Sequence, residues 1–92
     1  MPKKNISKRK HLFKQFQTVQ LKCKSLKEMF EDELVELKEG QRGVVLDVLL
    51  VPNVPIGYNV EFFDETGETI AISSLEEKYL APATKTRQKT KV

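Results

Sequence analysis

The sequence predicts a mainly β fold, a small barrel of five short strands, and three observations carry that expectation. Short runs alternate apolar and polar residues at the period of a half-buried strand. Gly, Pro and Asn punctuate those runs at turn positions. Helix-start chemistry stands out in only one segment, beginning at Ser25.

In chain order, Phe16 to Lys24 is the first strand, because Val19, Leu21 and Cys23 alternate with Gln20, Lys22 and Lys24. Ser25 and Glu28 have the spacing of a capping box, and acids follow at Glu31, Asp32 and Glu33, so a short helix is expected up to about Leu34 within an insertion spanning 25–36. Leu37 to Gly40 reads as a turn. Gly43 to Val51 is the strongest strand signal, apolar on both faces except at Asp47. Pro52-Asn53-Val54-Pro55 ends it, since proline cannot donate to a ladder. Tyr58, Val60 and Phe62 alternate with Asn59 and Glu61 and are expected to face the core. Asp64-Glu65-Thr66-Gly67 is a hairpin loop with Gly67 in the left-handed position. The return strand runs from Glu68 to Ser73 with Ile70 and Ile72 inward. A 3-10 turn at Ser74–Lys78 precedes a last strand at Tyr79–Ala81, which Pro82 ends. Closing these strands on one another would remove the exposed edges that template aggregation.

Charge divides the chain further. Residues 1–14 carry Lys3, Lys4, Lys8, Arg9, Lys10 and Lys14 and no acid, a formal charge of +6. Residues 83–92 carry Lys85, Arg87, Lys89 and Lys91 and no acid, giving +4. All 13 acids fall between, leaving that body at −7 and the whole chain at +3. The two arms are also poor in large apolar residues and cannot offset the entropy of ordering. The expected organisation is a disordered basic tail at 1–12, one domain at 13–82 and a second disordered basic tail at 83–92. A core of that size rarely supplies more than about 3–5 kcal/mol of net stability.

Cys23 is the lone cysteine, so no internal disulfide is available, and the expectation is a small core residue in a reducing, cytoplasmic setting. The first residues lack the apolar stretch of a secretory signal, and no apolar run approaches the roughly 20 residues of a membrane span. Catalysis needs a group poised to titrate or attack. His11 is the single histidine and lies in a basic arm, and Ser25, Ser73 and Ser74 have no histidine on the body to activate them. Consecutive acids at 31–33 on a helix would point apart rather than converge on a cation. The expectation is therefore a non-enzymatic chain with no cofactor, metal or catalytic residue.

Two surfaces remain as candidates. Leu49, Leu50, Val51 and Val54 exceed what a barrel of this size can bury, and Phe63 lies on the face opposite Phe62. Either these pack under the 26–36 insertion, or they form an apolar edge for a protein partner or for self-association. The lysines and arginines of the arms, Lys3, Lys4, Lys8, Arg9, Lys10, Lys14, Lys85, Arg87, Lys89 and Lys91, form the other candidate: either a sequence-independent contact with RNA or DNA phosphates, or solubilising tails resting on the chain's own acidic body. The leading expectation is a small interaction module docking a protein partner through the apolar edge; the alternative is a nucleic-acid-binding accessory protein that uses its tails.

The run from Phe13 to Leu21, the step Leu37-Lys38-Glu39-Gly40-Gln41-Arg42-Gly43-Val44-Val45, the stretch from Tyr58 to Ala71 and the close at Leu80-Ala81-Pro82 together resemble the bacterial domain-of-unknown-function 4926 family. The likeness covers about residues 13–82, and its most specific part is the strand, Asp-x-x-Gly turn and returning Glu68-Thr69-Ile70-Ala71. It implies an SH3-like barrel and no settled biochemical role. Gly40-x-x-Gly43-x-Val45-x-x-Val48 is also similar to the KOW pattern of translation and transcription factors, itself an SH3-like fold.

Overall fold

The structure, a computed structural model, describes residues 9–84 and is mainly β. Its strands are β1 (Thr18–Leu21), β2 (Ser25–Phe30), β3 (Glu33–Lys38), β4 (Arg42–Leu49), β5 (Gly57–Phe63), β6 (Thr69–Glu76) and β7 (Leu80–Pro82), with a 3-10 turn at Glu77–Tyr79 before the last. Five of them form one antiparallel sheet in the order β6-β5-β4-β1-β7, and β2 and β3 pair as a separate hairpin. These are the five expected strands, with β1 confined to Thr18–Leu21 rather than Phe16–Lys24, β4 ending at Leu49 rather than Val51, β6 running on to Glu76 and the 3-10 turn starting correspondingly later. The sheets are not closed on one another.

The main correction is at the 25–36 insertion, where the expected helix is a β-hairpin. Ser25 does not cap a helix; its hydroxyl donates to Glu36 across the hairpin at 2.7 Å. Glu28 faces the other way and accepts from the Ser73 hydroxyl of β6 at 2.6 Å. Burial alternates along both strands, so Leu26, Glu28, Phe30, Val35 and Leu37 turn toward the body while Lys27, Met29, Leu34 and Glu36 turn outward. Packing of that apolar face overrides the local helix signals, as tertiary context commonly does. The turn between the strands puts Glu31 and Asp32 at φ 51° and 67°. Two consecutive left-handed residues give the twist a two-residue hairpin needs, here without the usual Asn-Gly. On the outward face the Ser25 hydroxyl, first, and then the Lys38 and Lys27 ammonium groups hold the Glu36 carboxyl below the ordinary carboxylate range.

A second correction concerns β6. Ala71, Ser73 and Leu75 are buried, and Ile72, expected inward, is exposed. The pairing moves from Phe63 opposite Thr69 to Phe62 opposite Ala71, so Ile70 is an extra residue on the β6 side. A one-residue slip sends every following side chain to the other face. A similar irregularity between Val45 and Asp47 leaves Leu46 unpaired on β4.

The core lies on the inner face of the sheet, built from Val19 and Leu21 of β1, Val45 of β4, Tyr58, Val60 and Phe62 of β5, Ala71 and Leu75 of β6 and Leu80 of β7. Leu37 closes it from the hairpin and Phe13 from the segment before β1. Cys23, expected in the core, is half-buried and packs against it. Gly67 takes the expected left-handed conformation at φ 93°. Asp64 closes the same loop, its Oδ1 accepting from the Thr66 hydroxyl, the Thr66 amide and the Glu68 amide. Those donors, the Thr66 hydroxyl foremost, hold the Asp64 carboxyl below its ordinary range.

Gly43 is required for a different reason. A Cβ there would come within 2.7 Å of Val60 Cγ1 and 2.9 Å of the Glu61 carbonyl oxygen on β5. Overpacking of that kind typically costs about 1–3 kcal/mol. Gly43→Ala is expected to lower stability by that amount in urea unfolding, and an unchanged midpoint would contradict the close approach of β4 and β5.

Candidate functional site: the strap beside β4

Residues 9–17, preceding β1, form a strap tied to the body at both ends. At one end the Phe16 amide donates to the Val45 carbonyl at 2.6 Å and the Gln15 side-chain amide to the Leu46 carbonyl at 3.0 Å. At the other end the Arg9 guanidinium donates from Nη1 to the Val51 carbonyl and from Nη2 to the Val54 carbonyl, each at 2.8 Å. The strap therefore runs alongside the second half of β4 and the loop beyond it. That loop is a turn over Val51–Val54, with the Val54 amide donating to the Val51 carbonyl at 3.4 Å and Asn53 at φ 68°. Pro52 followed by Asn53 suits a type II turn, where proline presets the first central residue and asparagine tolerates the second.

The middle of the strap is pinned by Tyr58. Its ring is buried and meets the buried Phe13 ring edge-on, with centroids 5.3 Å apart. The Phe13 amide donates to the Tyr58 hydroxyl oxygen at 3.3 Å, and that hydroxyl donates to Glu77 Oε2 at 2.5 Å. The same carboxylate oxygen accepts from the Leu12 amide at 2.8 Å. Glu77 is itself placed by the 3-10 turn, its amide donating to the Ile56 carbonyl at 3.0 Å. Burial first, and then the hydrogen bond to Glu77, push the Tyr58 phenol up to about 12.

With Phe13 turned inward, its neighbours Leu12 and Phe16 turn outward, and each is 70% exposed. Phe16 sits at φ 70° in a turn that the Gln17 amide closes onto the Lys14 carbonyl at 3.0 Å. A bulky residue there costs roughly 1–2 kcal/mol relative to ordinary backbone. Next to the strap's tie points, Val51 is 52% and Val54 44% exposed, while Leu49 and Leu50 are half-buried. Four of the five expected edge residues thus lie together. Phe63 does not join them: Gly57 pairs with Leu49 at one end of β5, and Phe63 is six residues away at the other, about 20 Å by strand rise. There it helps line an open groove with Gln41, Arg42, Asp64 and Glu65, where cations and carboxylates are mixed. Leu12 was not singled out by sequence, and Phe16, expected to open the first strand, lies instead in the turn before β1; the available signal was an apolar pair near Phe13.

Of the expected polyanion-binding residues, Lys10 and Lys14 are exposed and Arg9 is engaged with the two carbonyls. Lys3, Lys4, Lys8, Lys85, Arg87, Lys89 and Lys91 lie outside the described residues. The His11 ring Nδ1 is 2.7 Å from the Phe13 carbonyl oxygen. Among the described residues no group of three His, Cys, Asp or Glu side chains is placed to hold a metal ion, and no helix is long and apolar enough to cross a membrane. Met29 and Leu34, cross-strand partners near the tip of the β2–β3 hairpin, form a second exposed apolar pair that the helix expectation concealed.

Tyr58→Phe removes the acceptor of the Phe13 amide and the donor to Glu77, and a buried amide left without a partner costs about 1–3 kcal/mol. The variant is expected to be less stable by that amount in urea, with the loss concentrated in the strap. For the native chain the sign follows from a phenol raised from 10.0 to about 12 on folding. Its stabilising effect is complete below pH 10 and disappears as pH rises through about 12. Tyrosinate absorbance should therefore resolve Tyr58 titrating near 12; ionisation near pH 10 would contradict the buried phenol–carboxylate pair.

Comparison with known proteins places the chain. No curated protein and no solved structure matches it. The family described as "Domain of unknown function (DUF4926)" matches residues 25–82, from the β2–β3 hairpin through β7, and leaves the strap and β1 outside the matched span. That span is more than half of the sequence, and the chain belongs to this domain-of-unknown-function family.

Proposed function

We propose that the chain is a non-enzymatic interaction module that docks a protein partner through the apolar flank formed by Leu12, Phe16, Leu49, Leu50, Val51 and Val54, carried on an SH3-like barrel. The observation that carries this reading is the display of Leu12 and Phe16, each 70% exposed, on a strap where their own amides are held by the Glu77 carboxylate and the Val45 carbonyl. Exposed aromatic and aliphatic side chains on a fixed backbone lose little entropy when covered, and such residues anchor protein interfaces. Support for the barrel comes from the strand order β6-β5-β4-β1-β7, the irregularity that bends β4 after Val45, the hairpin between β1 and β4 packed against β6, and the 3-10 turn before β7. The nucleic-acid alternative rests on the arms. Among their described cations Arg9 is committed to the Val51 and Val54 carbonyls, which favours the protein partner.

The test is capture of partners from native cytosol by tagged chain, with and without nuclease, compared with Leu12→Ser and Val51→Ser. A bound protein that survives nuclease and about 0.5 M salt is expected, because apolar burial is not screened. Loss of one anchor should weaken it at least about tenfold. Binding that disappears with nuclease, falls steeply between about 50 and 200 mM salt and ignores both substitutions would replace this reading with the nucleic-acid one.

A further inference from the structure

We propose that the strap of one copy exchanges with that of a second copy, each Phe13 filling the other's socket beside Tyr58, and that backbone strain at Phe16 favours the exchange. This goes beyond the docking function and stands whether or not that reading holds.

Everything the strap makes between Arg9 and Phe13 and the body can be made equally by a second chain. The Phe13 ring seats against Tyr58, the Leu12 and Phe13 amides meet Glu77 and the Tyr58 hydroxyl, and the Arg9 fork meets the Val51 and Val54 carbonyls. An element whose socket is reproduced on every copy exchanges with no new chemistry. The closed and exchanged forms differ only in the hinge. In the closed form the hinge is the reverse turn Lys14–Gln17, fastened by the Gln17 amide on the Lys14 carbonyl and the Lys14 amide on Gln17 Oε1, each at 3.0 Å. It is tied to β4 by the Phe16 amide on the Val45 carbonyl and the Gln15 side chain on the Leu46 carbonyl, bonds that opening gives up.

That turn is a poor one for its sequence. Phe16 occupies φ 70°, the region favoured by glycine, and its ring is 70% exposed, so little burial compensates the backbone. The other non-glycine residues with positive φ are better placed: Asn53 follows Pro52 in a type II turn, and Glu31 and Asp32 form a two-residue hairpin turn. Opening the hinge returns Phe16 to extended backbone in both copies. Four extended residues reach up to about 14 Å, enough to carry the strap off its own body onto a neighbour.

The experiment measures dimer dissociation by light scattering and sedimentation for the full chain and for Phe16→Gly and Phe16→Val. Both variants lack the ring, so their difference reads the backbone alone. Glycine accepts the turn and valine does not, and because the strain counts twice per dimer, Phe16→Gly is expected to dissociate at least about 30-fold more readily than Phe16→Val. Exchange itself is read by pairing Arg9→Cys with Val54→Cys in a Cys23→Ser background, which reports the strap's position without any partner. The dimer fraction is expected to cross-link between chains. A chain that stays monomeric, a dimer that cross-links only within chains, or equal dissociation of the two Phe16 variants would each overturn the proposal.

Discussion

The Tyr58 hydroxyl lies where three parts of the chain meet. It accepts the Phe13 amide from the strap and donates to Glu77 of the 3-10 turn, while its ring, on β5 between β4 and β6, packs against Phe13. Neither polar contact works without the other. A buried phenol needs a partner for its proton, and a carboxylate with two donors on one oxygen is held in a single orientation. The strap's path follows from this junction. Phe13 must point inward to meet Tyr58, and the apolar side chains of Leu12, just before it, and Phe16, three residues on, are left in water.

That arrangement separates what holds the fold from what the fold displays. The sheet is secured by alternating core residues of β1, β4 and β5, all from strands whose inner faces are buried. Most of the exposed apolar residues belong to segments added to the sheet: Leu12 and Phe16 on the strap, Val51 and Val54 on the β4–β5 loop, and Met29 and Leu34 on the hairpin, with Ile72 on the outer face of β6 the exception within the sheet. Covering them would not require the core to rearrange, and their loss should leave it intact. Recognition on loops and extensions positioned by a rigid sheet is a common division of labour in small β domains.

Much of the sheet is legible in the residues, because its signals are local. Tyr58, Val60 and Phe62 alternate without interruption and are all fully buried, and Pro52-Asn53 and Asp64-x-x-Gly67 write their turns in the residue types the backbone needs. The hairpin at 25–38 was not legible as such. Ser25 and Glu28 serve equally as a helix cap or as cross-strand and sheet-to-hairpin hydrogen bonders, and only packing against β6 decides. The facing of Ile72 depends on one extra residue at Ile70, which no alternation pattern announces. The strap was hidden for another reason. Arg9 and Leu12 sit among lysines in a segment whose composition reads as solvated, and what orders them is a pair of carbonyls and a carboxylate 42 to 65 residues away.

The central claim, that the Tyr58–Glu77 pair holds residues 9–13 on the body, is tested most directly by hydrogen exchange at the Leu12 and Phe13 amides near neutral pH. The account predicts that both exchange at least about 100-fold more slowly than a free peptide, as expected for hydrogen-bonded amides in an ordered segment. Exchange of both at the free-peptide rate would show that the strap is not docked, and the apolar flank beside β4 would lose its support.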